Sequence, residues 1–514
     1  MVIKVTIVVV YLLVLAYIGI LASRRVGDIS DFFVGGKKLG YWFVSFSSRA
    51  TGESGWLLLG FTGLGYAIGL SAFWVVFGEL FGVTVAWVFL TQRFKKLTDR
   101  YNSITIPDYL ESRFGDVGHA LRAISAVVLL VFVTAYVAAQ LTATGKAFNG
   151  FLGVPYAWGV IIGLGIVAFY SVAGGFVAVV WSDLIQGILM LLGLVGIPIV
   201  ALFYVGGFAN LGAQLNAVDS SLLSVFGADG FTARGVMTAF GFWAIGWAYL
   251  GSPQLFVRFI SVKNVRELPK GARVAVLYTV LANCGAVLTG MCGRVIVGAI
   301  PDQETIIADL SNMILPTIGV GLLIAIVLAA IMSTADSLLV LSASSVVRDI
   351  WQKIFHPKAS DASLTWMSRG VTAVIALAAL AFALLEIRVI FWFVLFAWAG
   401  IGSAFCPVII LSLFWKGLTR AGAIAGMVSG FAVTIAWKLL PPWAFGLVGS
   451  VQQALAPAGK APEELVAADL VYEMIPAFIA AFLATVIVSK FTKPPANAAH
   501  DLDALRDEVV DVWT

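Results

Sequence analysis

Thirteen stretches of the chain are apolar enough, for about 20 residues each, to cross a bilayer as helices. They lie near 4–23, 42–69, 72–92, 121–147, 154–173, 178–204, 236–257, 274–299, 316–345, 370–387, 389–415, 422–440 and 468–489. No other property narrows the fold so far, because only helices or closed barrels satisfy their backbone inside lipid. Composition agrees: 61% of the 514 residues are hydrophobic, 12% are charged, and the mean hydropathy is +0.99. Cys284, Cys292 and Cys406 all fall in apolar segments and read as small core residues, not disulfide partners. The predicted class is an all-α polytopic membrane protein. Loops 24–40, 93–122, 258–273, 346–369, 416–420 and the tail hold most of the 32 Lys and Arg residues. The intervening loops hold only Arg234 and Lys460, which predicts an outside N-terminus and a cytoplasmic C-terminus.

Polar residues inside these spans fall in four places. The stretch "SSRATGESGW" puts Arg49, Thr51, Gly52, Glu53, Ser54 and Gly55 into the second span, where Gly and clustered hydroxyls weaken a helix. In the seventh span, Gly251-Ser252-Pro253 removes a backbone donor and blocks helix continuation. Spans 2–6 and 7–11 thus form two blocks of five, each opening on an interrupted helix, the pattern of an inverted-repeat transporter. In the ninth span, Ser333, Asp336 and Ser337 share one helix face, as do Thr334 and Ser337. Such a row of oxygens, facing carbonyls freed by a broken helix, suits a hard cation. Asp183 is the fourth: either a functional carboxylate or a helix-start or interfacial aspartate.

Arg49 and Glu53 stand four residues apart. They read either as a charge pair that pins the broken helix, or as a substrate contact (Arg49, reaching Asp336 or a solute carboxylate) beside an ion or proton ligand (Glu53). Glu79 has no evident partner. Gly422, Gly426 and Gly430 form a small-residue stripe that predicts close helix packing within the chain. No GxSxG, HExxH or Walker A pattern occurs, and three His with no Cys pair at ligand spacing make a transition-metal site a poor fit. The chain does not read as an enzyme, and any transport would draw on a gradient.

In "DFFVGGKKLG", "SGWLLLGFTG", "NSITIPDYLESRFGD", "GGFVAVVWSDLIQ", "GSPQLFVRFISVKN" and "LAAIMSTADSLLVLSASSVVRDI" the chain resembles the sodium/solute symporter family, most of all its sodium/proline branch. The resemblance implies a leucine-transporter-like fold. Residues 1–41 would be a leading helix and loop, 42–204 and 236–415 the two inverted repeats, 416–490 two trailing helices, and 491–514 a cytoplasmic tail. It further implies a main sodium site from the carbonyls of Ala50, Glu53 and Ala330 and the hydroxyls of Ser333 and Thr334. The second sodium site of some members would use Asp183, Ser333, Asp336 and Ser337. Solute contacts would come from Ser54, Gly55, Trp56, Tyr136, Tyr249 and Pro253. The resemblance to proline-symporter-like sequences implies an acidic residue where this chain has Gly52, an uncharged one where it has Glu53 and a small one where it has Arg49.

The implied activity is sodium-coupled symport of a small organic solute, an amino acid such as proline or a related carboxylate, by alternating access in the plasma membrane. Na+ is the coupling ion, and solute and membrane lipid are the partners. No nucleic acid is expected, and the chain is expected to work as a monomer. Proton coupling through Glu53, Asp183 and Asp336, or solute sensing without transport, are the alternatives.

Overall fold

The computed structural model describes residues 1–23, 29–385, 390–457, 460–461 and 464–505. Among these residues there is no strand, only an isolated parallel bridge between Leu39 and Val262. Each expected span lies mainly on helix, with the seventh and thirteenth interrupted at 251–252 and 471–473, while 386, 387 and 389 lie outside the described residues. By length and hydropathy alone, nine helices among the described residues qualify as crossing elements, and two more apolar helices, 156–167 and 474–490, are shorter. The difference from thirteen has a local cause. The second and third spans run on as one helical stretch, 41–100, and the seventh is cut into Ala233–Ala244 and Pro253–Ser261.

Each interruption follows from its residues. Gly69 turns the chain between the second and third spans with φ 57°, a left-handed value that glycine adopts without strain. A Cβ there would lie 2.1 Å from the Leu222 carbonyl oxygen. Gly175 (φ 57°) breaks the long helical run 156–205 where the fifth and sixth spans meet. Pro253 opens its helix at the first turn, where the missing N–H has no intrahelical partner to lose.

The core is one continuous apolar cluster that runs through the broken helices and their neighbours. Helix Thr317–Ser344 is buried along nearly its whole length, between the 41–55 helix and the 120–152 and 156–205 helices. The stripe Gly422, Gly426 and Gly430 does lie against helices of this same chain. Cβ atoms at Gly422 and Gly426 would strike Ser489 and Thr485, and one at Gly430 the Ser403 carbonyl. At one end of the bundle, Arg122 joins Asp108 and Glu111 of helix Ile106–Phe114 to Asp349 (2.5 Å). Thr105 also donates to Asp349, at 3.0 Å.

The third span holds the second break in position by backbone contact. Cβ atoms placed on Gly246 and Gly82 would lie 1.7 Å from the Gly78 oxygen and 1.9 Å from the Gly246 oxygen. Overpacking of this kind costs about 1–3 kcal/mol. Gly82→Ala and Gly246→Ala should therefore each lower the thermal stability of the purified protein by that amount. Gly196→Ala, where a Cβ meets nothing within 4 Å, should hold or raise it. Melting curves in one detergent check the contrast, and unchanged melting of both contact variants would refute it.

Candidate functional site

The first break centres on Ser54, whose φ of 54° and ψ of −176° interrupt the helix Tyr41–Gly55. Of the four described non-glycine residues with positive φ, only Ser54 is buried. Strained backbone of this sort persists where its surroundings hold it, and it marks functional positions. The holding contacts are visible. The Gly55 amide donates to Gln140 Oε1 at 3.0 Å, and the Trp56 amide to Ser54 Oγ at 3.1 Å. Trp56 then stacks on Phe61 and Phe391, leaving its own Nε1 without a hydrogen-bond partner. Tyr136 lies beside Ser54.

The second break faces the first. Residues 245–250 form a tight turn of helix, Gly251 and Ser252 are extended, and Pro253 restarts the chain. Tyr249 donates from its hydroxyl to the Gly52 carbonyl at 3.4 Å, and its ring meets Trp398 edge-on. Gly52 admits this approach, since a Cβ there would lie 3.1 Å from the Tyr249 ring. A side chain at this position would press on that ring. Of the residues assigned to solute, Ser54, Gly55, Trp56, Tyr136 and Tyr249 are gathered at the meeting of the breaks, and Pro253 is buried at the start of its helix.

Ser333 and Thr334 point their hydroxyls at the first break. Ser333 donates to the Ala50 and Ala330 carbonyls, both at 3.1 Å. Thr334 donates to the Thr51 carbonyl at 3.1 Å and to Ala50 at 3.4 Å. Four of the five oxygens assigned to the main sodium site are thus brought together, all neutral and buried, with no cationic donor among their partners. That donor set fits a sodium ion. The carbonyl of Glu53 instead receives the Trp56 amide, and its side chain points to Arg49.

Two of the residues assigned to a second sodium, Asp183 and Ser337, hold a charge of the protein's own. Arg258 is 1% exposed and reaches Asp183 (3.3 Å), Thr51 (2.6 Å) and Ser337 (2.5 Å) through Nη2. Its Nε donates to Ser47 at 2.9 Å, and Ser47 donates to Asp183 at 2.6 Å. Asp183 is therefore neither a helix-start nor an interfacial residue. From sequence Arg258 counts as the first residue of a basic loop, but helix Pro253–Ser261 continues past it and buries it. The signal that would have found it is an arginine one turn and a residue after a helix-starting proline, on the same helix as that proline.

Arg49 pairs with Glu53, lies 3.5 Å from Glu79, and rests on the Tyr249 ring. It has no contact with Asp336. Glu79 accepts from Asn283 at 2.7 Å, a partner 204 positions away that no local pattern could supply. Arg49 Nε and Nη1 and Glu53 Oε2 are buried without partners.

Against known proteins, residues 32–430 match the model of the sodium:solute symporter family. The chain is 37% identical to the high-affinity proline transporter PutP of Bacillus subtilis (strain 168), over 94% of this chain and 97% of that one. It is 33% identical to the osmoregulated proline transporter OpuE of the same organism, over 98% and 97%. Among solved structures, a Na+-coupled sialic acid symporter in a substrate-bound outward-open state superposes with a TM-score of 0.77 at 19% identity, covering 96% and 98% of the two chains. The shared architecture is the leucine-transporter-like one.

The Arg49 cluster yields a stability test. Arg49→Ala leaves Glu53 and Glu79 buried without their common partner and should cost roughly 3–5 kcal/mol. Glu53→Ala should cost less, because Glu79 still faces Arg49. The double variant should fall well short of the sum of the singles, a coupling that thermal unfolding of the three proteins reads directly. Strict additivity would mean that the pair adds nothing to the fold.

Proposed function

The chain belongs to the sodium:solute symporter family, and from that membership we propose that it carries proline, or a closely related small amino acid, into the cell with sodium. It is a membrane transporter and not an enzyme, and Na+ is its coupling ion. One observation carries the site assignment: the Ser333 and Thr334 hydroxyls converge on the carbonyls that the first break exposes. On this reading Ala50, Glu53, Ala330, Ser333 and Thr334 hold sodium. Ser54, Gly55, Trp56, Tyr136, Tyr249 and Pro253 contact the solute. The proline specificity of PutP and OpuE makes L-proline the first solute to test.

The remaining assignments belong to the same proposal. The repeats comprise 42–204 and 236–415, preceded by 1–41 and followed by 416–490 and the tail 491–514. The chain works as a monomer in the plasma membrane, with its N-terminus outside and its C-terminus in the cytoplasm. The mechanism follows from which elements the oxygens join. Ala50 sits on the broken helix and Ser333 with Thr334 on the unbroken 317–344 helix, so a cation held between them fixes one against the other. Trp56 and Tyr136, beside the same break, then take a set position towards Tyr249. Sodium favours the arrangement that binds solute, and losing it releases both.

Reconstituted protein should take up L-proline under an inward sodium gradient, and an inward proton gradient alone should drive none. Ser333→Ala and Thr334→Ala should each raise the sodium concentration for half-maximal uptake about tenfold, the equivalent of about 1.4 kcal/mol for one lost ligand. Wild-type sodium dependence in both variants would displace the site. Uptake driven by protons without sodium would replace the coupling ion.

A further inference from the structure

We propose that residues 497–505, near the end of the chain, are a strap that holds the inner mouth of the transport path closed and must lift before that mouth opens. The inference goes beyond the coupling reading above and rests on it for the cytoplasmic placing of this end. It starts from a carboxylate where solvent is expected. Asp501 belongs to a six-residue helix, Ala498–Asp503, in a short tail of the kind that usually stays loose and hydrated. Yet Asp501 is 4% exposed. Its Oδ2 accepts from the Tyr101 hydroxyl at 2.6 Å and from Asn497 Nδ2 at 2.8 Å, and its Oδ1 accepts from Arg100 Nη1 at 3.1 Å. Ala498, Leu502 and Leu505 are buried beside it, and both leucines join the continuous apolar core.

The segment is fastened to two separate parts of the protein. On one side is the turn 415–419, between helices Ile390–Phe414 and Arg420–Leu439. There Lys416 pairs with Asp503 at 2.7 Å, and the Thr419 and Thr492 hydroxyls share a hydrogen bond of 2.6 Å. On the other side are Arg100 and Tyr101, at the end of helix Thr91–Arg100. The chain turns after them at Asn102, with φ 50°, and the Ser103 amide folds back to the Thr98 carbonyl at 2.8 Å. Ile104, Thr105 and Ile106 follow, and they border a cavity of about 20 Å³, room for about one water. Arg258 and Ser337 border the same cavity, and both hydrogen-bond to Thr51 beside the first break. Residues 101–106 thus cover this side of the broken helix, and the tail grips the cover where it begins.

The attachment has the strength of a strap and not of a pillar. A helix of six residues does not persist on its own. The Lys416–Asp503 pair is exposed, and exposed pairs contribute little. Chain ends open locally at low cost, so this segment can lift while the helices beneath it stay folded. Its one strong point is Asp501, held by charge-assisted hydrogen bonds. A movement that parts 101–106 from the cavity while 415–419 stays in place has to break that point first.

Ile104→Cys reads the mouth directly, because Ile104 is 8% exposed when the cover is shut. Its labelling by a membrane-impermeant maleimide is measured on the full chain in everted membrane vesicles, with Cys284 and Cys406 replaced by Ala. Adding Asp501→Ala should speed labelling about tenfold, as loss of a charged hydrogen bond predicts. Tyr101→Phe, which removes one hydroxyl and keeps the ring, should act in the same direction and serves where the first variant misfolds. Native Cys292, buried in helix Leu268–Ile296, should stay as slow as before. An equal rise at Cys292 would mean that the tail supports the whole fold, and it would overturn the strap. Unchanged labelling of residue 104 in both variants would overturn it as well. Labelling from right-side-out vesicles alone would overturn the proposed orientation and the strap's place on the inner mouth together. Failure of the wild type to take up L-proline with sodium would sink the coupling reading, while the labelling rates still decide the strap.

Discussion

A guanidinium enclosed by apolar protein has to be paired where it lies, since the cost of stranding it exceeds most single contributions to stability. This chain encloses two beside its broken helices, Arg49 and Arg258, and much of the surrounding arrangement follows from satisfying them. Arg258 draws Ser47 and Thr51 from the broken helix, Asp183 from the 156–205 helix and Ser337 from the 317–344 helix onto one group. Arg49 does the same for Glu53, Glu79 and Tyr249 on another side of the helix. Apolar packing alone is non-directional and gives helices no unique register. Two fixed charges with named partners do.

The breaks depend on those anchors. Ser54 holds a backbone conformation unusual for a residue with a Cβ, and Gly251 leaves its helix extended. In an apolar interior the backbone groups so released need partners, and Gln140, Ser333, Thr334 and Tyr249 provide them. Each partner reaches the break only because its own helix is seated closely. Gly246 against Gly78 is one such seat, where backbones touch without side chains between them.

What the sequence disclosed divides along the range of the physics involved. Spans, breaks and the Ser333–Thr334 row rest on local properties: hydropathy over a helix length, the missing donor of Pro253, the three- and four-residue spacing of a helix face. All three kinds of feature were legible. Arg258 was not, because hydropathy falls at a charge and an end drawn there makes the charge look like loop. Nor was the role of Glu79, whose partners Arg49 and Asn283 come from two other helices. The Gly52 departure is instructive in the same way. On its own it looks like a lost carboxylate, and only the Tyr249 ring, 3.1 Å from where a Cβ would stand, shows how little room a side chain has there.

The two polar clusters around the broken helix also bear on how one site feels another. Ala50 and Thr51 are neighbours in sequence, yet their carbonyls face Ser333 and Thr334 while the Thr51 hydroxyl reaches Arg258 and Ser337. Helices 41–55 and 317–344 are therefore stapled twice, one staple within reach of a cation and the other built from the protein's own charge. A motion that parts these helices has to break both. The Arg258 staple uses only the protein's own groups and needs no bound ion. On the proposed site, sodium would add its own contacts to one arrangement and not to the other, and its differential affinity is all the free energy it can contribute to the shift. Because the Gly55 amide and Trp56 continue directly from the stapled residues, the same shift would move the groups proposed to face the solute. Reciprocity requires that solute binding strengthen sodium binding by the same factor. Coupling of this kind needs no long pathway: a single broken helix, held on one side by hydroxyls and on the other by an arginine, carries both proposed sites within two turns.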